Sequence, residues 1–281
     1  MYARKRCNPI LQEKDGYIME SKDYRSSIKV VGTVLPDTKV ILKKYLELKD
    51  VELLRKEVLD NNLILKTSKR RAETIFYELR KRYLYDQLDG YRETSFIYFL
   101  KKIDSDSIIN LLLYYYLCKE ERIIYEYVAN LVYGKYADGF LGISSADTTE
   151  FILALADKDK NVSKWSERTI NDVRSGMMGV LKEFGFIDSR KRPTFNKPFI
   201  PSIIFYYVLY MNKDNIRTIE DVYKCKDLYL FLLLESDIHI LLEEAYRNGV
   251  LDFGREEPKT LIYRYKTMKE IIDGYVNGEI H

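Results

Sequence analysis

Apolar residues recur at helical spacing along most of the chain, and polar residues mark where the predicted helices begin and end. Asp37, Asp50 and Ser68 are predicted N-caps, because their side-chain oxygens accept hydrogen bonds from the free N–H groups of a first turn. The helix led by Ser68 carries one apolar stripe. The stripe consists of Ala72, Ile75, Phe76, Leu79 and Tyr83. This spacing predicts a helix that packs one side against a core.

Basic residues cluster on the opposite side of the same predicted helix. Seven Lys or Arg residues and two Glu residues lie between Lys66 and Arg82. At about 100° per residue, Arg70 and Lys81 share the outward face, with Lys69 beside them. The preceding helix, the link 63–67 and this basic helix have the outline of a helix-turn-helix. The alternative is an ordinary solvated surface, since most surface helices are charged on one side.

Gly134, Gly139 and Gly142 interrupt the helical pattern near the middle of the chain and predict a loop between two halves. At the N-terminus, the sequence over 1–22 is polar and aperiodic, so we expect a flexible leader there. A helical domain with the helix-turn-helix-like segment is expected over 23–142. A second helical domain is expected over 143–281.

The second half combines helices with predicted β-hairpins. A helix ending at Gly185 is followed by Phe186–Phe195, which is typical of a short hairpin with a basic tip. Two helices followed by such a hairpin predict a winged helix-turn-helix. The pattern recurs loosely, with a helix over Ser236–Asn248 followed by strands over Val250–Phe253 and Leu261–Tyr265. The stripe assigned to that later helix includes Ile240, Leu241 and Leu242. The expected fold class is all-α, with short winged-helix-like hairpins in the C-terminal half.

Composition narrows the classes of function. The 281 residues include 46 Lys or Arg against 43 Asp or Glu, a net charge of +3, so any nucleic-acid surface must be a local patch. The 25 tyrosines favour burial between helices, although Tyr114–Tyr116 is also a candidate partner surface. Apolar runs such as Ile108–Cys118 fall short of the roughly 20 residues that a membrane span needs. We expect a cytoplasmic protein with no membrane contact.

Catalytic and metal-binding motifs are missing from the sequence. Cys7, Cys118 and Cys225 form no C-x-x-C pair, and His239 and His281 are the two histidines, so neither a metal site nor a cofactor is predicted. Phosphate-binding loops, nucleophile elbows and H-E-x-x-H are absent as well. Scattered E-x-K triplets occur about as often as chance allows in a chain this rich in Glu and Lys. We expect a protein that is not an enzyme.

Five segments follow one another along the chain: SKRRAETIFYELRKRYL (Ser68–Leu84), LLLYYYLCKEERIIYEYV (Leu111–Val128), KWSERTINDVRSGMMGVLKEFGFID (Lys164–Asp188), PFIPSIIFYYVLY (Pro198–Tyr210) and the block Leu241–Tyr265. In this order they resemble the BrxA family of BREX phage-exclusion systems. The resemblance implies a mostly helical protein that binds double-stranded DNA without catalysis. It also implies action beside other BREX proteins, namely a methyltransferase, an ATPase and a phosphatase-like component.

Charge and helix geometry, rather than a family motif, select the candidate DNA-binding residues. They are Lys69, Arg70, Arg71, Lys81, Arg168, Lys182, Arg190, Lys191, Arg192 and Lys197. Clustered Lys and Arg on an accessible face supply the phosphate contacts that dominate sequence-independent affinity. We expect backbone contact without base-specific readout. The alternative function is a protein-interaction adaptor that joins other defence components without touching DNA.

Overall fold

The structure, a computed structural model, describes residues 23–188, 191–254 and 258–281. The predicted leader and Arg190 lie outside these ranges. The helices are α1 (Ile28–Val31), α2 (Leu35–Leu48), α3 (Val51–Leu59), α4 (Lys69–Tyr83), α5 (Ser95–Lys102), α6 (Asp106–Glu120), α7 (Arg122–Glu126), α8 (Tyr133–Ala137), α9 (Ser145–Ala156), α10 (Glu167–Glu183), α11 (Ser202–Met211), α12 (Ile219–Tyr223), α13 (Lys226–Tyr229), α14 (Glu235–Arg247) and α15 (Met268–Val276). A π-helical segment, Tyr127–Val132, joins α7 to α8. Strands β1 (Leu251–Phe253) and β2 (Leu261–Tyr263) form an antiparallel hairpin. The fold is therefore mostly helical with a short hairpin near the C-terminus, which confirms the expected class.

Most predicted helix starts are confirmed by their caps. The Asp50 carboxylate accepts from the N–H groups of Glu52 and Leu53, and the Ser68 hydroxyl accepts from Arg71 N–H. The prediction for Asp37 is wrong, because α2 begins two residues earlier, at Leu35. Pro36 suits that first turn, since it needs no N–H partner there.

The core includes residues from both halves of the chain. It confirms the prediction that tyrosines are buried between helices. All five residues of the α4 stripe are buried. Tyr114 and Tyr115 are fully enclosed, and their hydroxyls donate to Leu230 O at 3.0 Å and to the Asp227 carboxylate at 2.7 Å. Tyr116 is partly buried and lies 2.7 Å from the Tyr207 hydroxyl. Residues on both sides of the expected boundary at 142 contribute to this core, and the division into two domains stays a prediction.

A buried ion pair occupies the centre of the N-terminal half. The Arg82 guanidinium donates to Glu121 Oε1 from Nε at 3.2 Å and from Nη2 at 3.0 Å, and both side chains are almost fully buried. Arg82 also donates to Gly32 O at 2.7 Å, while the Ser27 hydroxyl donates to Glu121. Counting Arg82 in the basic surface cluster is therefore wrong. Its position borders the apolar stripe of α4, which turns its side chain inward.

Residues 122–196 form a compact arrangement that we call unit 1. A helix running from α7 through α8 leads to Gly142, which makes an antiparallel bridge to Thr194. Helices α9 and α10 follow, and the chain then turns back through a hairpin. In the described part of that hairpin the pairing consists of the bridge Ile187–Phe195 and adjoining hydrogen bonds, among them Asp188 N–H to Thr194 O and Asn196 N–H to Phe186 O. Phe195 N–H closes the sheet by donating to Leu141 O at 2.8 Å.

Residues 202–263, unit 2, repeat this arrangement. Helix α11 precedes a bridge between Thr218 and Thr260, then α12, α13, α14 and the β1–β2 hairpin follow. Leu261 N–H donates to Arg217 O at 2.8 Å, the counterpart of the bond that closes the sheet of unit 1. Helices α10 and α14 end alike, in Gly-Phe-Ile-Asp at 185–188 and Gly-Val-Leu-Asp at 249–252. Both glycines have positive φ, 82° and 66°. The backbone thus repeats where the sequence pattern had looked too loose to establish a repeat.

We expect Arg82→Met to destabilise the protein by about 3–5 kcal/mol, because it removes the buried, hydrogen-bonded cation of Glu121 and leaves Arg25, partly exposed and 3.7 Å away, as the remaining one. The free energy of unfolding in urea measures this loss. Lys44→Met is the control, since it breaks the exposed Lys44–Glu47 pair and should leave the unfolding midpoint unchanged. Equal midpoints for the two variants would contradict the structural role of Arg82.

Asp227 predicts a pH dependence of stability. Its carboxylate is buried and accepts from Tyr115, Tyr125, Lys119 and Asn212. Burial alone raises a carboxyl pKa, but the Lys119 ammonium and the hydroxyl donors outweigh it and hold the pKa of Asp227 below its ordinary value.

Because the folded-state pKa of Asp227 is the lower one, its stabilisation is complete above the unfolded-state pKa of about 3.9 and is lost as pH falls through the folded-state pKa. Urea unfolding between about pH 6 and pH 3 should show a steeper loss of stability for the native sequence than for Asp227→Asn. Parallel curves would refute this contribution.

Candidate nucleic-acid interface

Helix α4 presents a row of basic and aromatic side chains outward. Arg70, Thr74, Tyr77 and Lys81 follow one another at helical spacing on the side opposite to the buried stripe. Tyr77 is 46% exposed, and the Lys81 ammonium lies 4.3 Å from the centre of its ring. Arg70 is exposed one turn beyond Thr74, whose hydroxyl bonds back to the Arg70 carbonyl. An aromatic ring between two cations can contact both phosphate and sugar or base surfaces.

The remaining basic residues of this segment differ in their surroundings. Lys69 pairs with Asp60 at 2.8 Å, and this contact lowers the pKa of the Asp60 carboxyl. Lys66 pairs with Asp37, also at 2.8 Å. Arg71 is exposed on the other flank of α4. The structure thus brings Arg70 and Lys81 together on one face and places Lys69 and Arg71 to either side of it.

Helix α10 carries two of the predicted cations at opposite ends of its outward row. Arg168 lies in the first turn with a side chain that is 92% exposed, 4.0 Å from the Asp172 carboxylate. Lys182 is exposed in the last turn. Asp172, Ser175 and Gly179 lie between them, so the row carries one carboxylate near Arg168 and is flat toward Lys182. The Ser166 hydroxyl caps the helix by accepting from Thr169 N–H.

The hairpin of unit 1 brings a third group of cations to the surface. Lys191 and Arg192 are exposed at its tip, and Arg190, the third predicted tip residue, lies outside the described ranges. Lys197 is not part of this tip. Its ammonium pairs with Asp237 at 2.7 Å and is half-buried, so it joins the hairpin strand to the first turn of α14.

Residues 28–35, here called the arm, pack against both α4 and α10. The Ile28 carbonyl lies against Gly176, where an added Cβ would come within 2.8 Å of its oxygen. At the far end of α10, Leu35 N–H donates to Glu183 Oε1 at 3.1 Å, while burial raises the pKa of that carboxyl. Gly32 O accepts from Arg82 of α4. The arm therefore lies along one flank of α10 and is fixed to α4.

Lys29 is a candidate residue that the sequence analysis missed. Its ammonium is exposed and lies 3.3 Å from the Thr169 hydroxyl, next to the first turn of α10. The stretch Ile-Lys-Val-Val gives no sign of this placement, because the contact spans 140 positions of the chain. A cation here adds to that of Arg168 at the same end of the helix.

Three observations on the described residues concern nucleophiles, metal ligands and membrane spans. A cavity of about 310 Å³ adjoins Asp227 and includes Cys225, but burial raises the pKa of that thiol to about 12, which disfavours a thiolate nucleophile. In the part of the chain described, no group of three or more His, Cys, Asp or Glu side chains is placed to hold a metal ion. Among the same residues, every helix is too short or too polar to cross a bilayer.

Comparison with known proteins identifies the family. The model of the BrxA family matches residues 22–209, about two thirds of the chain, so the protein belongs to this family. A crystal structure of an uncharacterized protein from Magnetospirillum magneticum has a similar fold, with a TM-score of 0.55 and 16% sequence identity. The match covers 73% of this chain and 98% of that one. A search of curated proteins finds no significant match.

The contact between the arm and α10 predicts opposite effects for two neighbouring glycines. Gly176→Ala should destabilise the protein by about 1–3 kcal/mol, because its Cβ would push the Ile28 backbone away. Gly179→Ala meets no atom within 4 Å and should stabilise the helix, by up to about 1 kcal/mol. Urea unfolding of both variants measures the signs. Stabilisation by both would show that the arm does not rest on α10.

Proposed function

We propose that this BrxA family member is a non-catalytic, double-stranded DNA-binding component of a BREX-type phage-defence system. Family membership supports the place in BREX. The observation that carries DNA binding is unit 1, where two helices precede a hairpin with a basic tip. This is the order of a winged helix-turn-helix, in which the second helix and the wing approach the duplex. In unit 1 these positions are held by α10 and by Lys191 and Arg192.

Electrostatics supports contact with phosphates. The tip sequence Arg190-Lys191-Arg192 concentrates three cations in a chain whose net charge is only +3. Arg168 and Lys29 add positive charge where α10 begins, and the row on α4 adds Arg70 and Lys81. Each cation that neutralises a phosphate releases a counterion, which favours binding at low salt. Local clusters of this kind allow duplex binding without a strongly basic protein.

The outward row of α10 favours contact with the DNA backbone over base readout. Specific readout usually requires Arg, Lys, Asn or Gln side chains that reach the base edges in the major groove. Asp172, Ser175 and Gly179 occupy the middle of this row; none is of these residue types, and Ser175 and Gly179 are too short for that reach. We propose binding that depends on duplex shape and charge rather than on one sequence.

The other expectations become part of the same proposal. The protein would act in the cytoplasm, without a cofactor and without catalysing a reaction. Its partners would be duplex DNA and other BREX proteins, among them the methyltransferase, the ATPase or the phosphatase-like component. One observation favours the alternative, a protein-interaction adaptor: the outer surface of unit 2 exposes apolar side chains such as Ile240.

Binding to a labelled duplex, titrated against salt, tests the DNA proposal. We expect the logarithm of affinity to fall linearly with the logarithm of salt concentration, with a slope of about −0.9 per phosphate contact. Lys191→Glu/Arg192→Glu and Arg70→Glu/Lys81→Glu should each reduce affinity by roughly tenfold or more at low salt and make the slope shallower by about 2.

Lys224→Glu/Lys226→Glu is the matched control, because it makes the same charge change at exposed positions of unit 2. This variant should keep most of the native affinity. Equal losses in all three variants would show that only overall charge matters. Lack of binding by the native protein even at low salt would refute the proposal and leave the adaptor as the better account.

A further inference from the structure

The exposed side of α14 in unit 2 occupies the same position as the exposed side of α10, the proposed DNA surface of unit 1. Gly185 and Gly249 are equivalent, because Phe186 N–H donates to Leu181 O and Val250 N–H donates to Ala245 O in matching helix ends. Counting back from these glycines aligns the exposed sides of α10 and α14. The corresponding positions are Ser175 and His239, Gly176 and Ile240, Gly179 and Glu243, and Lys182 and Tyr246.

The aligned surfaces differ in what covers them. In unit 1 the arm packs directly on Gly176, where its backbone leaves no space for a side chain. The equivalent Ile240 of unit 2 is 59% exposed, whereas the neighbouring Leu241 and Leu242 are buried. The apolar residues of α14 therefore extend beyond the core onto its outer side.

Other exposed apolar side chains extend this surface. The segment 197–202 runs beside α14, since Lys197 pairs with Asp237 at one end and Ser202 shares the acceptor His281 O with Asn248 at the other. Phe199, between these anchors, is 86% exposed. On the other flank of α14, beside the hairpin, Tyr246 stacks on Phe253. We call the surface formed by Phe199 and Ile240 the α14 face.

The charges around the α14 face do not suit DNA. Glu235 and Glu243 are exposed on the outward side of α14, and Glu243 lies 3.3 Å from His239. The cation Arg247 lies at the opposite end of the helix, in its last turn. A phosphate approaching α14 would meet the Glu235 and Glu243 carboxylates, whereas on α10 the exposed cations Arg168 and Lys182 lie among the carboxylates of Glu167 and Asp172. An apolar surface bordered by acidic groups instead fits a protein with apolar and basic side chains.

We propose that the α14 face is the docking surface for another protein of the defence system, which contributes an apolar helix flanked by Lys or Arg. The arm provides the structural precedent, since it lays a short helix with Ile28 and Lys29 against the equivalent flank of α10. Charge complementarity with Glu235 and Glu243 specifies the basic flank. This inference rests on the proposed function only for the BREX context, and it does not require that unit 1 bind DNA.

The test uses the full-length chain and the purified methyltransferase, ATPase and phosphatase-like protein of the BREX system that encodes it. Each is titrated in turn by isothermal calorimetry. We expect one of them to bind, and Phe199→Ser/Ile240→Glu to weaken that binding by about tenfold or more, as loss of central apolar contacts does in protein interfaces. Glu235→Lys/Glu243→Lys should weaken it as well, and added salt should have the same effect.

Leu65→Ser/Leu153→Glu is the matched control, because it introduces the same two residues, Ser and Glu, at exposed apolar positions outside unit 2. It should leave binding of the partner unchanged. Duplex binding, measured in parallel, should be the same for the native protein and for the α14-face variant. A native protein that binds a BREX component but not the duplex would refute the DNA proposal and support this one.

Three results would overturn the inference. One is that none of the three components binds the native protein. Another is that Phe199→Ser/Ile240→Glu loses duplex binding, which would assign the α14 face to DNA. The third is a dimer in sedimentation velocity that dissociates in this variant, which would make a second copy of the chain the occupant of the face.

Discussion

The buried carboxylate of Glu121 is the contact on which the N-terminal part of the structure depends. It accepts from Arg82 and from Ser27, and Arg82 in turn holds the carbonyl of Gly32. Charges buried in this way are tolerated only when every donor and acceptor is matched. The ion pair thus fixes the residues on either side of α1 at once, and it places the arm between α4 and α10. Both proposed DNA-binding helices take their relative position from this junction.

Amphipathic helices were predictable from the sequence because burial and helical period are local properties. The stripe on α4 and the caps at Asp50 and Ser68 agree with the structure for this reason. The prediction of basic surface from local charge was less reliable, because the local sequence does not show whether a basic residue pairs with an acidic residue far along the chain. Arg82 meets Glu121 across 39 positions, and Lys197 meets Asp237 across 40. One is a core residue and the other joins two elements, although both counted as basic surface in the sequence.

The repeat escaped the sequence analysis for a related reason. What the two units share is a set of backbone hydrogen bonds, and many side-chain patterns satisfy the same set. Only the short stretches at 185–188 and 249–252 keep a common pattern, because the positive φ after α10 and after α14 favours glycine and the next two residues must enter the core. Elsewhere the outer positions of α10 and α14 were free to differ. The position of Lys29 beside Thr169 could not be predicted from the sequence either, because it depends on the path of the arm.

This freedom gives the two units different surface chemistry on one backbone. A face that attracts phosphate needs exposed cations, and in the proposed division of roles exposed carboxylates such as Glu235 and Glu243 would disfavour phosphate at α14 at little cost to the fold, because they point to solvent. The chain as a whole stays close to neutral, with 46 basic and 43 acidic residues. Near-neutrality is compatible with DNA binding when cations are concentrated in local patches such as the hairpin tip.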